Sequence, residues 1–310
     1  MKIIFFGTGK FGLPSLKKLH KSSHEIVAVV TQPDKKKGRG WSVRPTPIKA
    51  FVEQAAPGMD VFQPEKASDA QFIDSLRKMD ADIFVVIDYG QLLDKDLLDV
   101  PRKCCVNLHP SLLPKYRGAA PVNRAILNGE EETGNTVIRM TERMDAGSVI
   151  MQEKTEIGED EDAEDLLERL SYSGADLLLK ALSAIESGEE CLSEQDESAA
   201  AYAPKLGKKE GEIDWTVSAQ EVVRKVRAMQ PWPGAFTHLD SRTLKVIHAA
   251  EDDASESSSS PGTISDETKF IVNTGKGSVR VTMLQLEGKK AMTSAEFLRG
   301  HPAKKGTVLK

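Results

Sequence analysis

The chain has 310 residues, 39% hydrophobic and 29% charged, with 42 Lys+Arg against 47 Asp+Glu for a net charge of −5. That length accommodates two domains, the balance fits a globular protein, and no apolar run approaches the roughly 20 residues needed to cross a bilayer. Three cysteines, two of them adjacent, make no disulfide framework and point to a reducing, cytoplasmic setting. No zinc-type spacing and no H-E-x-x-H occurs, so no metal is expected. The opening M-K-I-I-F-F-G is too short for a signal peptide and reads as a strand. The charge is unevenly spread. Residues 1–120 hold 19 Lys+Arg against 13 Asp+Glu, residues 121–204 hold 6 against 21, and residues 205–310 hold 17 against 13. Two basic ends around an acidic middle permit a nucleic-acid partner, because local patches decide phosphate binding.

In chain order, Lys2–Phe6, Ile26–Thr31, Ile83–Ile87 and Cys105–Leu108 are short apolar runs. Between them Pro14–His20, Ile48–Ala55 and Ala70–Lys78 have helical spacing. This alternation predicts an α/β fold, a doubly wound, mostly parallel, Rossmann-like sheet. Gly7, Gly9 and Gly12 spell G-x-G-x-x-G after the first strand. A dinucleotide site would also need an acidic residue at the end of the second strand. That strand ends at Thr31–Gln32, and Asp34 lies beyond Pro33, so the glycines read as a tight strand-to-helix turn. Between Pro33 and Pro47, Lys35, Lys36, Lys37, Arg39 and Arg44 surround Trp41. Five cations with an embedded aromatic suit phosphate contact and base stacking, although such a run is often only a solvated loop.

Asn107 and His109 flank Leu108 at the end of the strand that begins at the paired cysteines. Alternation sends both side chains to one face, at the carboxyl end of a strand where open α/β sheets bind ligands. Pro110 and Pro114 stop the strand. Asn135–Met140 and Ser148–Gln152 read as two further strands around a turn that carries Asp145. An amide donor, a titrating imidazole and a carboxylate to orient it are the parts for acyl transfer to nitrogen through a tetrahedral intermediate. Asp162–Glu186 repeats leucines at helical intervals, with Gly174 expected to break or bend it and Gly188 to end it. Residues 189–206 lose periodicity and read as a linker. Beyond it, Ser218–Met229 is an N-capped amphipathic helix, followed by short strands at Phe236–Leu239, Leu244–His248, Lys269–Val272 and Ser278–Leu286. Ser255–Ser260 is a polar low-complexity loop.

The run N-L-H-P-S-L-L-P-K-Y-R-G-A-A-P, followed by M-D-A-G, resembles the signature of the 10-formyltetrahydrofolate-dependent formyltransferases. The likeness extends to I-I-F-F-G-T-G-K-F at the start and to T-Q-P-D-K-K-K-G-R-G-W with R-P-T-P-I-K in the basic loop. It continues in Y-A-P-K-L, I-D-W, P-W-P-G-A, P-G-T-I and G-K-K-A-M, so it covers essentially the whole chain. The resemblance implies a catalytic domain at 1–188, a linker at 189–206 and a smaller β-rich, OB-like barrel domain at 207–310 that binds tRNA. It implies a folate co-substrate, 10-formyltetrahydrofolate, without metal, and formyl transfer to the α-amino group of initiator methionyl-tRNA; no obligate protein partner is evident in the sequence, so a monomer is expected. Asn107, His109 and Asp145 would be catalytic. Ser111, Leu112, Leu113 and Pro114 would line the folate slot, with Tyr89, Gly90 and Leu92 on the opposite wall. Lys35, Lys36, Lys37, Arg39, Trp41 and Arg44 would contact tRNA, together with Lys289 and Lys290. Two positions depart from the family pattern: Asp88 replaces a small apolar residue and Asn135 a valine, and both are expected to bear on the folate pocket. Formylation of a small amine or a sugar nucleotide is the alternative, since the same three residues would serve it.

Overall fold

The computed structural model describes residues 1–37, 42–252, 260–301 and 303–310. Compactness divides the chain into two units. The first comprises Met1–Pro121, Glu132–Glu156 and Leu167–Ala203, and the second Val122–Glu131, Ile157–Leu166 and Pro204–Lys310.

The first unit is built on a seven-stranded sheet. In chain order the elements up to Ala203 are β1 (Lys2–Gly7), α1 (Leu13–His20), β2 (Glu25–Val30), β3 (Lys35–Lys37), β4 (Ser42–Arg44), α2 (Pro47–Ala55), β5 (Asp60–Phe62), α3 (Ala70–Arg77), β6 (Ile83–Ile87), α4 (Lys95–Leu98), β7 (Cys104–His109), β8 (Arg117–Gly118), α5 (Pro121–Asn128), β9 (Glu132–Arg139), β10 (Val149–Glu156), α6 (Ala163–Ser187) and β11 (Tyr202–Ala203); of these, α5 from Val122 onward and α6 as far as Leu166 belong to the second unit. The strand order is β10-β9-β7-β6-β1-β2-β5. From β7 to β5 all pairs are parallel, and β9 and β10 join antiparallel at the β7 edge. The expected Rossmann-like sheet is therefore present, and the order reverses between β1 and β6.

Consecutive residues Ile3, Ile4, Phe5 and Phe6 are all buried, as are Ile83 through Ile87. Unbroken burial means that both faces of these strands are covered, which is why they lack polar alternation. On one face Ile4, Phe6, Ala28, Val30, Phe84 and Val86 form a cluster with Phe72, Ile73 and Leu76 of α3 and Leu97 of α4. Fully burying a side chain of this size contributes about 1.5–3 kcal/mol, so the central strands carry much of the unit's stability. Local signals start the helices. Thr46 caps α2 through Lys49 N–H with proline in the first turn, and Asp69 caps α3 through Phe72 N–H.

Helix α6 runs unbroken through Gly174. That corrects the expected break. A Cβ at Gly174 would lie 2.9 Å from Leu108 Cδ2 and 3.0 Å from Asn135 Oδ1. The glycine lets the helix approach β7 and β9 closely and does not interrupt it. Gly188 does end the helix, with φ +73°. Asn135 answers to the same contact. It is fully buried, and its Nδ2 donates to Leu170 O (2.9 Å) and Ser173 Oγ (3.1 Å). The departure from valine thus faces α6, and among the described residues its Oδ1 accepts no hydrogen bond.

The segment expected to be a linker is bound into the first unit as far as Ala203. Ser193 bridges Val149 in both directions, and β11 pairs in parallel with β8. No apolar periodicity advertises this, because the chain is held by main-chain hydrogen bonds.

The second unit contains α7 (Ala219–Ala228), β12 (Ala235–Leu239), β13 (Arg242–Asp252), β14 (Ile264–Asp266), β15 (Ile271–Asn273), β16 (Ser278–Leu286), β17 (Met292–Thr293) and α8 (Ser294–Gly300). Its antiparallel sheet has the order β12-β13-β16-β15-β14, with β17 also on β16. Leu244 and Val246 alternate as buried residues on β13, and on β16 the buried pairs Val279/Val281 and Leu284/Leu286 lie on either side of a register shift. Ser218 and Glu221 form a capping box at α7. Of the Ser255–Ser260 loop, residues 255–259 lie outside the described residues.

Replacing Asn135 by valine is expected to leave stability within about 1 kcal/mol of wild type or to raise it, because two hydrogen bonds and one uncompensated oxygen disappear together. Asn135→Asp should cost at least about 3 kcal/mol, since it buries an unpaired charge. Urea unfolding of the two variants at neutral pH checks the contrast.

Candidate active site

Asn107 and His109 sit at the carboxyl end of β7, paired across the sheet with Ile138 and Thr136 of β9. His109 is 4% exposed, and its Nε2 lies 2.9 Å from Tyr116 O. A carbonyl only accepts, so Nε2 bears the hydrogen and Nδ1 is the free basic nitrogen. Nδ1 faces Asp145 Oδ2 at 3.6 Å. Both Asp145 oxygens accept hydrogen bonds: Oδ1 from Asn107 Nδ2 (3.2 Å) and Oδ2 from Gly118 N–H (2.8 Å). The three side chains named from the sequence are thus brought together. One N–H of the Asn107 amide is engaged by the carboxylate, and the second remains to meet a developing negative charge.

The backbone around this cluster is held in unusual conformations. Tyr116 (φ +63°) and Asp145 (φ +51°) are left-handed, a region that non-glycine residues seldom occupy. Each such residue costs about 1–3 kcal/mol and persists where its surroundings over-determine it. At Tyr116 the determinant is its carbonyl bond to His109. Gly118 (φ +120°) follows, and a Cβ there would lie 2.8 Å from Ala203 O. Two residues that flank Arg117, Tyr116 and Gly118, therefore hold the imidazole and the carboxylate through main-chain atoms.

The S-L-L-P segment beyond β7 is fixed by Thr136 and Gln152. Thr136 Oγ1 donates to Ser111 O (2.6 Å) and accepts from Leu113 N–H (3.2 Å) and Gln152 Nε2 (2.8 Å), while Gln152 also donates to Leu113 O (3.0 Å). Ser111 and Leu113 are buried, whereas Leu112 and Pro114 are half-buried. On the opposite side the sequence expectations divide. Gly90 (φ +86°) and Leu92 (71% exposed) stand in the open after β6. The Tyr89 side chain is 2% exposed and packs edge-on against Phe6, with ring centroids 5.3 Å apart. Burial pushes its phenol up to about 12. Only its main chain faces the turn, through Thr8 Oγ1 to Tyr89 O (2.9 Å).

Asp34, beyond the second strand, is committed to Lys49 Nζ (2.6 Å) and Gln63 Nε2 (2.7 Å), and these bonds, Lys49's first, hold its carboxyl below the usual range. The ion pair joins the two ends of the basic loop. Within that loop β3 and β4 pair as a short hairpin, and Lys35 and Arg44 are exposed on it. Arg39 and Trp41 lie outside the described residues. In the second unit Lys289 and Lys290 are exposed in the turn after β16. Among the described residues, no group of three or more His, Cys, Asp or Glu is arranged to hold a metal, and no helix is long and apolar enough to cross a membrane.

Sequence reading missed the Tyr116 carbonyl, the Gly118 amide, Thr136, Gln152 and Gln195, whose Nε2 donates to Asp145 O (2.8 Å) and Gly147 O (2.7 Å). The first two are main-chain groups and leave no side-chain signal. Gln195 sits in the stretch without periodicity.

Comparison with known proteins bears on this geometry. The formyl transferase family matches residues 1–182, and the formyl transferase C-terminal domain matches residues 205–302. A methionyl-tRNA formyltransferase of Citrifermentans bemidjiense is 42% identical over all of this chain and 96% of its own length. The fold is similar to that of WlaRD, a sugar 3N-formyl transferase solved with dTDP and 5-N-formyl-THF, with a TM-score of 0.70 at 19% identity over 94% of this chain and 99% of that one. It is also similar to HypX from Aquifex aeolicus in complex with tetrahydrofolic acid (TM-score 0.66, 18% identity), where all of this chain spans 50% of that protein.

Asp88 (φ +49°) follows β6 with its carboxylate tucked against the Gly9 backbone, where a Cβ on Gly9 would collide with it. Although the residue is exposed overall, this crowding strips solvent from the carboxyl and pushes it from 3.8 up to about 6. The folded chain then binds a proton that the unfolded chain has already lost, so stability falls as pH rises from about 4 through 6. Asp88→Asn, which keeps a residue tolerant of positive φ, should therefore raise the melting temperature at pH 7.5 and give no gain at pH 4. Thermal unfolding across that range measures the difference.

Proposed function

This chain belongs to the formyl transferase family, and from that premise we propose that it transfers a formyl group from 10-formyltetrahydrofolate to the α-amino group of initiator methionyl-tRNA, yielding formyl-methionyl-tRNA for translation initiation. The observation that carries the reading is the convergence of Asn107, His109 and Asp145 at the end of β7, in a chain about 40% identical over its length to proteins named methionyl-tRNA formyltransferase. The neighbouring solved structures that hold tetrahydrofolate or formyl-THF support a folate co-substrate. The free cysteines suit a reducing, cytoplasmic setting, and a monomer suffices because all three groups come from one unit.

An amine attacks only as the neutral species, and a free α-amino group titrates near 7.7–8.0. His109 Nδ1 is the open basic site that receives the proton released as the nitrogen bonds to the formyl carbon. The imidazolium so formed is held between the Tyr116 carbonyl and the Asp145 carboxylate. The remaining Asn107 N–H stabilises the oxyanion of the tetrahedral intermediate. As the carbon–N10 bond breaks, the proton passes from Nδ1 to N10, so tetrahydrofolate leaves neutral at that nitrogen and the new amide remains on methionine. Ser111 to Pro114 would line the folate slot, with Gly90, Leu92 and the Tyr89 main chain facing it.

The basic loop would serve the tRNA. Lys35 and Arg44 lie exposed on the β3–β4 hairpin, and the sequence adds Lys36, Lys37 and Arg39 for phosphate contact and Trp41 for stacking. Lys289 and Lys290 would add phosphate contacts.

Incubation with charged initiator methionyl-tRNA and 10-formyltetrahydrofolate should yield formyl-methionine, and His109→Ala or Asn107→Ala should lower kcat at least about a hundredfold. Product formation at wild-type rate by either variant would refute the assigned roles. Neutralising Lys35, Lys36, Lys37 and Arg39 together should raise KM for tRNA and leave the folate dependence little changed. In a salt series the log-log slope of tRNA affinity should flatten by about 0.7–0.9 for each phosphate that the variant no longer neutralises; an unchanged slope argues against the loop.

A further inference from the structure

The stretch between α6 and the second unit holds one polar network that the proposed chemistry does not use. Arg117, directly between the two residues whose main chain holds His109 and Asp145, is only 1% exposed. Its Nε and Nη2 donate to Gln195 Oε1 at 3.1 and 2.8 Å. Its Nη1 and Nη2 donate to Glu197 at 3.2 and 3.0 Å, and Arg143 binds the same carboxylate at 2.8 Å. Arg117's bond first, then Arg143's, hold the Glu197 carboxyl below its usual range. Gln195 is used at both ends. Its Oε1 takes the guanidinium, and its Nε2 donates to the carbonyls of Asp145 (2.8 Å) and Gly147 (2.7 Å).

These bonds close a ring. Asp145 is held by its carboxylate from Gly118 N–H on one side and by its own carbonyl from Gln195 on the other. Arg117 ties the two sides together. The carbonyl bond sets the peptide plane of a residue in the left-handed region, so it orients the same Cα from which the carboxylate projects toward His109 Nδ1. A turn of this kind, released from one side, relaxes toward commoner dihedrals and carries the carboxylate away. A displacement of about 1 Å at such a group can lower a rate by about a hundredfold.

We infer that Gln195, braced by Arg117, is a positioning residue that holds the Asp145 turn in register for proton transfer at His109. The inference rests on the formyl-transfer reading. Sequence offers no hint of it, since Gln195 lies 50 residues from Asp145 in the chain.

The test uses the full chain in the methionyl-tRNA formylation assay. Gln195→Glu retains an acceptor for Arg117 and replaces the donor to the turn by an oxygen that faces the Asp145 and Gly147 carbonyls, so it releases the turn and keeps the guanidinium paired. It is expected to lower kcat roughly ten- to hundredfold, as for other residues that orient catalytic groups. Both KM values should stay within about threefold and the melting temperature within about 3 °C of wild type. Gln195→Leu should add no further loss when combined with Asp145→Ala, because the strut then has nothing to position. Wild-type kcat in Gln195→Glu, or losses that multiply in the double variant, would overturn the inference while the active wild type still supports formyl transfer. A wild-type chain with no formyl transfer overturns the functional reading and this inference with it.

Discussion

The site depends on one carboxylate with both oxygens committed. Asp145 accepts from a side-chain amide on β7 and from a main-chain amide at Gly118, and the remaining face of Oδ2 looks at His109 Nδ1. Each bond removes a degree of freedom from a group that lies beside an imidazole. The imidazole in turn has its other nitrogen bound to a carbonyl, which decides its tautomer. Remove the carboxylate, and the left-handed turn that carries it has no function that repays its strain.

The sheet makes this arrangement possible by rigidity rather than by proximity along the chain. Asn107 and His109 are two residues apart on a strand paired on both sides, so their separation and direction are set by the pleat. Asp145 arrives from the turn between the antiparallel strands β9 and β10. Close approach of α6 at Gly174 seats that helix against β7 and β9, directly behind the strand that carries the two residues. Polar side chains then fix the loops that no core can hold: Thr136 and Gln152 for S-L-L-P, and Gln195 with Arg117 for the Asp145 turn.

Charge follows the same division of labour. Among the described residues, exposed cations stand at Lys35 and Arg44, near the Asp34–Lys49 pair in the chain, and at Lys289 and Lys290 after β16. The buried Arg117 is different: it is neutralised by Glu197 and structural in effect. Counting basic residues therefore says little until burial separates cations available to a phosphate from those already paired.

Much of the fold was legible because it rests on local periodicity. The runs at residues 2–6, 83–87 and 105–108 and the helices between them appear where apolar spacing puts them, and the Ser218 cap where capping chemistry does. The three candidate catalytic side chains were legible too, since their residue types and spacing restrict the chemistry. Tertiary structure alone decided how they are held. Gly174, expected to break or bend a helix, lies within one that continues past it, Asn135 bonds to α6, and residues 189–203 are part of the first unit. The reason is common to all three. Main-chain hydrogen bonds and close contacts between elements distant in sequence leave no periodic trace in the residues that make them, so only the folded chain reveals them.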